Sequence, residues 1–513
     1  MSGTSGEYGL EGERVFGGVN VTFEGLKGTK LQLGNWDEHA NLQSPDPLLL
    51  KSYTDELQGE CSLDSIIQKA SHVRDELATL DAFSSVSHSV SQSTSNPSEV
   101  DVVFKVREER RRYSLGSTIN KRGKIGFEAS AFFPNLLGTL STSKFSLETF
   151  GGSSRELNVS HFTPKIFSSN INMVYSLSKS LVDHSKSSAF TESSFGSLVK
   201  FSDLTGRHNL TVESRIRDLP KSPYGQTEAR PQKHDSTILR GQTLKNSICY
   251  SWNRIKSCNP EAREDCSSAA NEKGGLFAPF KMSHTKTTQQ LSLEVAGFSG
   301  DVSFLKTQGF YNWSSKLSRT RGRPKFLKNI NIDFSLGFGA MLPNPFNKVA
   351  FRTSVHDKFF LGGNCGAHYC LPGFAPRSVG ACTQFKEETQ AKESSGLSGS
   401  RGSVCLGGDM FVSSEARVSH PIDLSGVGTS IRPNVEAFVS GAVVMDKSDF
   451  VGGEGQSLAK RLGRHARAAT GFGISVPFGP ADLSLLLSTP LKSQSTDMLE
   501  GFQLGMRMTY APL

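Results

Sequence analysis

The residues of this chain best equipped for covalent or metal chemistry are eight cysteines and twelve histidines, and neither set is arranged to perform it. The cysteines stand at 61, 249, 258, 266, 365, 370, 382 and 405, without the CxxC pairs that hold a structural zinc ion. The histidines show no metal-ligand spacing, and no HExxH, P-loop or Rossmann fingerprint occurs. The expectation is a chain that is not an enzyme and that carries no cofactor and no metal. A different spacing stands out: Phe359-Phe360-Leu361-Gly362-Gly363, followed by Leu371-Pro372-Gly373-Phe374. This is a glycine-marked loop. Cys365, Cys370 and Cys382 lie around it, and two readings stay open: a disulfide, or free thiols facing a reducing compartment.

The elements that must position this loop are strands. Side chains of a strand point to opposite faces in turn. In the C-terminal segment Phe502, Leu504, Met506, Met508 and Tyr510 fall on one face, and Gly501, Gln503, Gly505, Arg507 and Thr509 on the other. Upstream, Ile332, Phe334, Leu336, Phe338, Ala340 and Leu342 alternate with Asp333, Ser335, Gly337 and Gly339. Phe472, Ile474, Val476 and Phe478 do the same against Gly471, Gly473 and Ser475. One face suits lipid and the other water.

Composition agrees with that division. Hydrophobic residues make up only 36% and mean hydropathy is −0.32, with no apolar run near the roughly 18 residues of a membrane helix. A membrane barrel escapes this test, because only alternate residues of its strands face lipid. The net charge of +8 at a pI near 9.0 identifies no partner. The N-terminus lacks the basic start and apolar core of a secretory signal, so insertion into an organelle membrane from the cytosol is expected.

Along the chain, residues 1–13 read as a flexible N-terminus and 14–107 as a small α/β domain. In it Val19, Val21 and Phe23 alternate, Ser62 caps a helix bearing Ile66, Ala70, Val73, Leu77 and Leu80, and Val100, Val102, Phe104 and Val106 return to period two. The run Arg107-Glu108-Glu109-Arg110-Arg111-Arg112 reads as a solvated hinge. From 108 to 513 the chain is a series of strand-sized pieces, enough for about 16 strands at roughly 25 residues each. The fold class expected is mainly β: a transmembrane antiparallel barrel of roughly 16 strands behind one small α/β domain. A long loop is expected over about 217–275, and Glu387 to Arg401 reads as a mobile insertion within a stretch, about 361–404, that a family resemblance carried by Leu371 to Phe374 implies folds inward.

These features resemble the barrel-assembly insertases typified by bacterial BamA and the core subunit of the mitochondrial sorting and assembly machinery. The N-terminal domain resembles one POTRA repeat, with Phe83-Ser84-Ser85-Val86 similar to the usual turn into its second strand. Leu293 to Lys306 is similar to a mid-barrel signature of the mitochondrial members. Leu371 to Phe374 is similar to the loop that folds back into the lumen, and Leu406-Gly407-Gly408-Asp409 to the strand after it. A single repeat favours the mitochondrial branch. One departure is plain: the resemblance calls for arginine before Gly373-Phe374, and the residue is Pro372. Lacking that guanidinium, the loop motif is left with Leu371, Pro372, Gly373, Phe374 and Arg377 as a stand-in, and Ser440 as its reduced partner on the wall.

The resemblance implies protein insertion through a seam between first and last strands. The first strand is expected at Tyr113 to Asn120, with Tyr113, Leu115, Ser117 and Ile119 on one face. Its Gly and Ser content weakens packing and leaves an edge for an incoming strand. Gln503, Gly505, Met508 and Tyr510 resemble the sorting signal of mitochondrial barrels. The implied partners are β-barrel precursors, accessory subunits of a sorting and assembly complex and the lipid bilayer. The implied site is the mitochondrial outer membrane, with the N-terminal domain in the intermembrane space. Three alternatives stand beside it: a plastid-envelope translocation barrel, a passive outer-membrane channel, and a nucleic-acid binder suggested by Arg321-Gly322-Arg323-Pro324. The last is set aside, because that tetrapeptide sits between two alternating segments as a basic surface loop, so no nucleic acid is expected.

Overall fold

The computed structural model describes residues 15–16, 18–24, 31–32, 47–57, 61–94, 99–119, 125–135, 139–150, 154–166, 169–183, 191–219, 238–239, 241–258, 280–319, 330–346, 353–364, 370–385, 402–422, 432–451, 457–478 and 481–508. The expected insertion at Glu387 to Arg401, Arg321 to Pro324, and Tyr510 lie outside them. Compactness divides the chain into two units.

The first unit holds residues 1–115, 129–146 and 158–176. It contains a four-stranded sheet of β1 (Gly18–Glu24), β2 (Leu31–Gln32), β3 (Phe83–Gln92) and β4 (Glu99–Glu108), ordered β2-β1-β4-β3. Helix α1 (Pro47–Thr54) and helix α2 (Leu63–Thr79) complete it. Ser62 caps α2, its hydroxyl accepting from the Ser65 N–H at 3.4 Å. Ile66, Ala70, Val73 and Leu77 recur at helical spacing and are buried against Phe23, Val100, Val102 and Phe104 of the sheet. The expected α/β order is present. In the same unit Lys165 reaches Glu76 at 3.2 Å and lies 3.6 Å over the Tyr53 ring. Burial, with Glu76 nearby, holds the Tyr53 phenol above its usual pKa.

Sixteen strands form one antiparallel sheet whose spatial order is their order in the chain. They begin with β5 (Arg112–Ile119), β6 (Ile125–Pro134), β7 (Thr142–Phe150), β8 (Ser154–Thr163) and β9 (Ile171–Asp183). There follow β10 (Thr191–Asp203), β11 (His208–Leu219), β12 (Gly241–Cys258), β13 (Phe280–Gly300), β14 (Phe304–Arg319) and β15 (Ile330–Leu342). The last five are β16 (Met410–Pro421), β17 (Asn434–Met445), β18 (Ala466–Phe478), β19 (Ala481–Lys492) and β20 (Phe502–Met508). The barrel of about 16 strands expected from alternation is therefore observed, and β5 and β20 are the two ends of its order.

One expectation is corrected. The long loop placed at about 217–275 contains β12, an 18-residue strand. Its inward positions carry Thr243, Lys245 and Ser247, all buried, and this polarity made a strand read as a loop. Elsewhere the alternation is clear: Phe334, Phe338, Phe472, Leu487 and Phe502 are exposed on the outer face, while Ser413, Arg417, Ser475, Ser484 and Gln503 are buried on the inner one.

Candidate functional site

The connection from β15 to β16 folds against the inner face of the second unit, and its root is held by charge. Asp357 is 3% exposed. One carboxylate oxygen accepts from Arg217 Nη1 at 2.8 Å and lies 3.3 Å from Lys245 Nζ. Its backbone carbonyl accepts from Lys306 Nζ at 2.7 Å. Lys245 is also 2.5 Å from Glu294 and 3.5 Å from Glu213. Charges so enclosed persist only when paired, so strands β11 to β14 and the loop root lock one another. On the other side Lys358 reaches Asp446 at 3.0 Å and Asp409 at 3.6 Å.

Beyond the root the loop doubles back. Gly362 and Gly363 have φ of +123° and +84°, and a Cβ on Gly362 would lie 2.2 Å from the Ala375 carbonyl oxygen, so only glycine fits. The Gly363 N–H donates to the Phe374 carbonyl at 2.8 Å and the Leu371 N–H to the Gly363 carbonyl at 3.2 Å. This brings Phe359, Leu361, Leu371, Phe374 and Val379 into one buried cluster with Phe304, Met341, Phe411, Val444 and Ala469 of the strands. The interior expected to be polar thus holds an apolar core wherever the loop lies, and each buried Phe or Leu contributes about 1.5–3 kcal/mol.

The tip is held by main chain. Gly373–Phe374 forms a short antiparallel pair with Leu499–Glu500. The Gln503 carboxamide grips the tip from both sides: its oxygen accepts from the Gly373 N–H at 3.1 Å and its nitrogen donates to the Phe374 carbonyl at 2.7 Å. The Met498 carbonyl accepts from the Ala375 N–H at 2.8 Å and the Ser378 hydroxyl at 3.2 Å. Gly373, at φ +94°, has room for no bulky side chain, since its Cβ would sit 3.2 Å from that of Ala469. Asn364 donates to Ser484 at 2.8 Å. A Cβ at Gly505 would fall 1.9 Å from the Asn364 carbonyl oxygen, so that glycine admits the loop backbone.

Of the residues expected to form the site, Leu371, Gly373 and Phe374 meet Gln503 and Gly505 in this clasp. Gln503 supplies side-chain hydrogen bonds to Gly373 and Phe374 at the tip. Ser440 instead donates to the Ala469 carbonyl on β18 at 3.5 Å, so its hydroxyl faces a neighbouring strand. Pro372 is buried but, as proline, brings no polar side chain to the tip. Arg377 lays its guanidinium 3.9 Å over the Phe360 ring, a contact within the loop. Tyr113, Leu115 and Ser117 on β5 are exposed; Ile119 and Met508 lie in β5 and β20 with side chains outside the described residues. Cys370 and Cys405 are disulfide-bonded, so of the two cysteine readings the disulfide holds at Cys370, and Cys249 is free. Sequence reading missed Asp357, Arg217, Lys245 and Lys306. Charged residues at inward positions of strands were the available signal.

Comparison with known proteins bears on the family and the fold. The Omp85 superfamily domain matches residues 135–509. A search of curated proteins finds no match. Among solved structures, BamA from Haemophilus ducreyi lacking POTRA domains 1–3 is similar at TM-score 0.63 and 16% identity, covering 96% of this chain and 84% of that one. CdiB from Acinetobacter baumannii follows at TM-score 0.45 and 10% identity, covering 96% and 73%. At 16% identity the likeness to the BamA structure is one of fold.

Proposed function

The chain belongs to the Omp85 superfamily, and from that premise we propose that it is the core subunit of a machinery that folds and inserts β-barrel precursors into the mitochondrial outer membrane. The observation that carries the reading is the clasp on β20, in which the inner loop grips a strand at one end of the sheet order through Gln503 and Gly505. A loop seated there senses whether β20 is in place. The other end, β5, is an eight-residue strand with exposed Tyr113 and Leu115 and open space around Gly116.

An incoming precursor strand pairs with the β5 edge by β-augmentation. Exposed backbone groups in hydrocarbon cost several kcal/mol each, so each strand the precursor completes is driven forward by pairing its own backbone. No covalent step is required. The α/β domain acts as a single POTRA-like module in the intermembrane space that receives precursors, and accessory subunits complete the complex. A passive channel would need an open lumen, whereas the loop packs Phe359, Leu361 and Phe374 into an apolar cluster on the inner face.

The test is to deplete the protein in its own cells, isolate mitochondria and follow a labelled barrel precursor and a labelled matrix precursor through import. The expected result is a stall of the barrel precursor alone before its mature complex. Normal import of both, with a fall in small-molecule permeability, would replace the insertase by a channel.

A further inference from the structure

We propose that Arg467 on β18 is a positioning residue for the loop tip, acting through Asp497 on the turn between β19 and β20. This rests on the reading in which the seated loop is a working part of the insertase.

Arg467 is among the largest fully buried side chains of the described residues. Its Nε and Nη2 donate to the two Asp497 carboxylate oxygens at 3.0 and 3.1 Å, Nη2 also to the Gln494 side-chain oxygen at 2.5 Å, and Nη1 to the His465 carbonyl at 2.6 Å. Such a two-pronged fork fixes direction as well as distance. The Asp497 side chain is fully enclosed. Its Oδ2 accepts a further bond from the Gln494 N–H at 2.6 Å, which closes the turn. The residue that follows is Met498, whose carbonyl receives the Ala375 N–H and the Ser378 hydroxyl, and the two after it pair with Gly373–Phe374.

The bonds from Gly373, Phe374, Ala375 and Ser378 to this turn therefore fall on the three residues after Asp497, and Asp497 is aimed by Arg467. A buried ion pair is a weak device for stability, because desolvation cancels most of its attraction. Its use here is to hold one turn conformation, with the Met498 carbonyl and the Leu499–Glu500 edge facing the loop. Lysine offers no planar fork and cannot copy the arrangement.

The experiment is amide hydrogen exchange by mass spectrometry on the full-length protein in lipid nanodiscs, comparing R467A, R467K, D497N and the swap R467D/D497R. The expected result is exchange roughly tenfold faster or more at peptides spanning 371–379 in the first three variants, with β18 and β19 still protected and partial recovery in the swap. D497N keeps side-chain size, so it carries the test should R467A fail to fold. Unchanged tip exchange in a folded variant would overturn the proposal, as would equal loosening of β18, β19 and the tip. Barrel-precursor assembly is scored in parallel. A freed tip with normal assembly upholds the brace and overturns the role of the loop in insertion.

Discussion

The inner loop is fastened at two places by opposite kinds of chemistry. At its root a buried carboxylate sits among Arg217, Lys245 and Lys306. At its tip neutral groups, a carboxamide and backbone amides, hold Gly373 and Phe374. Separating buried charges leaves each of them unpaired in a low-dielectric interior, which is prohibitive without a replacement. A backbone pair can exchange one partner strand for another at little net cost, because the new partner supplies the same groups. The root is thus built to stay and the tip to let go.

The sharpest way to break that contrast is at the root. Asp357→Ala leaves Arg217 and Lys245 facing each other without their shared anion, and a loss of about 3–5 kcal/mol is expected. The urea midpoint and heat-modifiable gel mobility of the folded barrel measure it, and an unaltered midpoint would mean the root is dispensable. Next comes Gly505→Ala, whose new methyl would overlap the Asn364 carbonyl. Relief requires the loop to lift, at about 1–3 kcal/mol, so precursor assembly should slow several-fold while the barrel stays folded.

Gln503→Ala removes the side-chain acceptor of the Gly373 N–H and one of the donors to the Phe374 carbonyl, which keeps its bond from the Gly363 N–H, and is expected to cost about 1–3 kcal/mol. Faster amide exchange confined to the tip is the readout, and the same exchange rate as wild type would show that the short pair with Leu499–Glu500 suffices alone. Gly373→Val and Phe374→Ala probe the tip from the loop side, and normal assembly kinetics in both would remove the loop from the mechanism. The smallest effect belongs to Ser440→Ala. Its hydroxyl makes one long bond to a neighbouring strand, so about 0.5 kcal/mol or less is expected, with tip exchange unchanged.

Much of the scaffold was legible because period two is a local signal. Phe502, Gln503 and Leu504 announce their faces to a reader who knows nothing of the rest of the chain, and the helix bearing Ile66, Ala70 and Val73 does likewise. The loss of β12 to an expected loop shows the limit: inward Thr243, Lys245 and Ser247 lie beside outward residues of mixed polarity, so contrast fades. The site was legible only in its parts. Gln503 and Gly373 each stood out, one as a polar break in an apolar strand and the other within a glycine motif, yet they are 130 positions apart. Asp357 and Arg217 are 140 apart. Nothing local couples such pairs, and one carboxylate in His356-Asp357-Lys358 looks like any other until the sheet brings three cations to it.

The reach of Gln503 to Gly373 also sets an order on the protein's own birth. The loop is synthesised long before the strand that receives it, so during maturation the tip has no seat, and the contact that closes it is among the most distant along the chain. Seating the loop and adding β20 to the sheet are then a single late event. An unseated tip is then the mark of an unfinished copy.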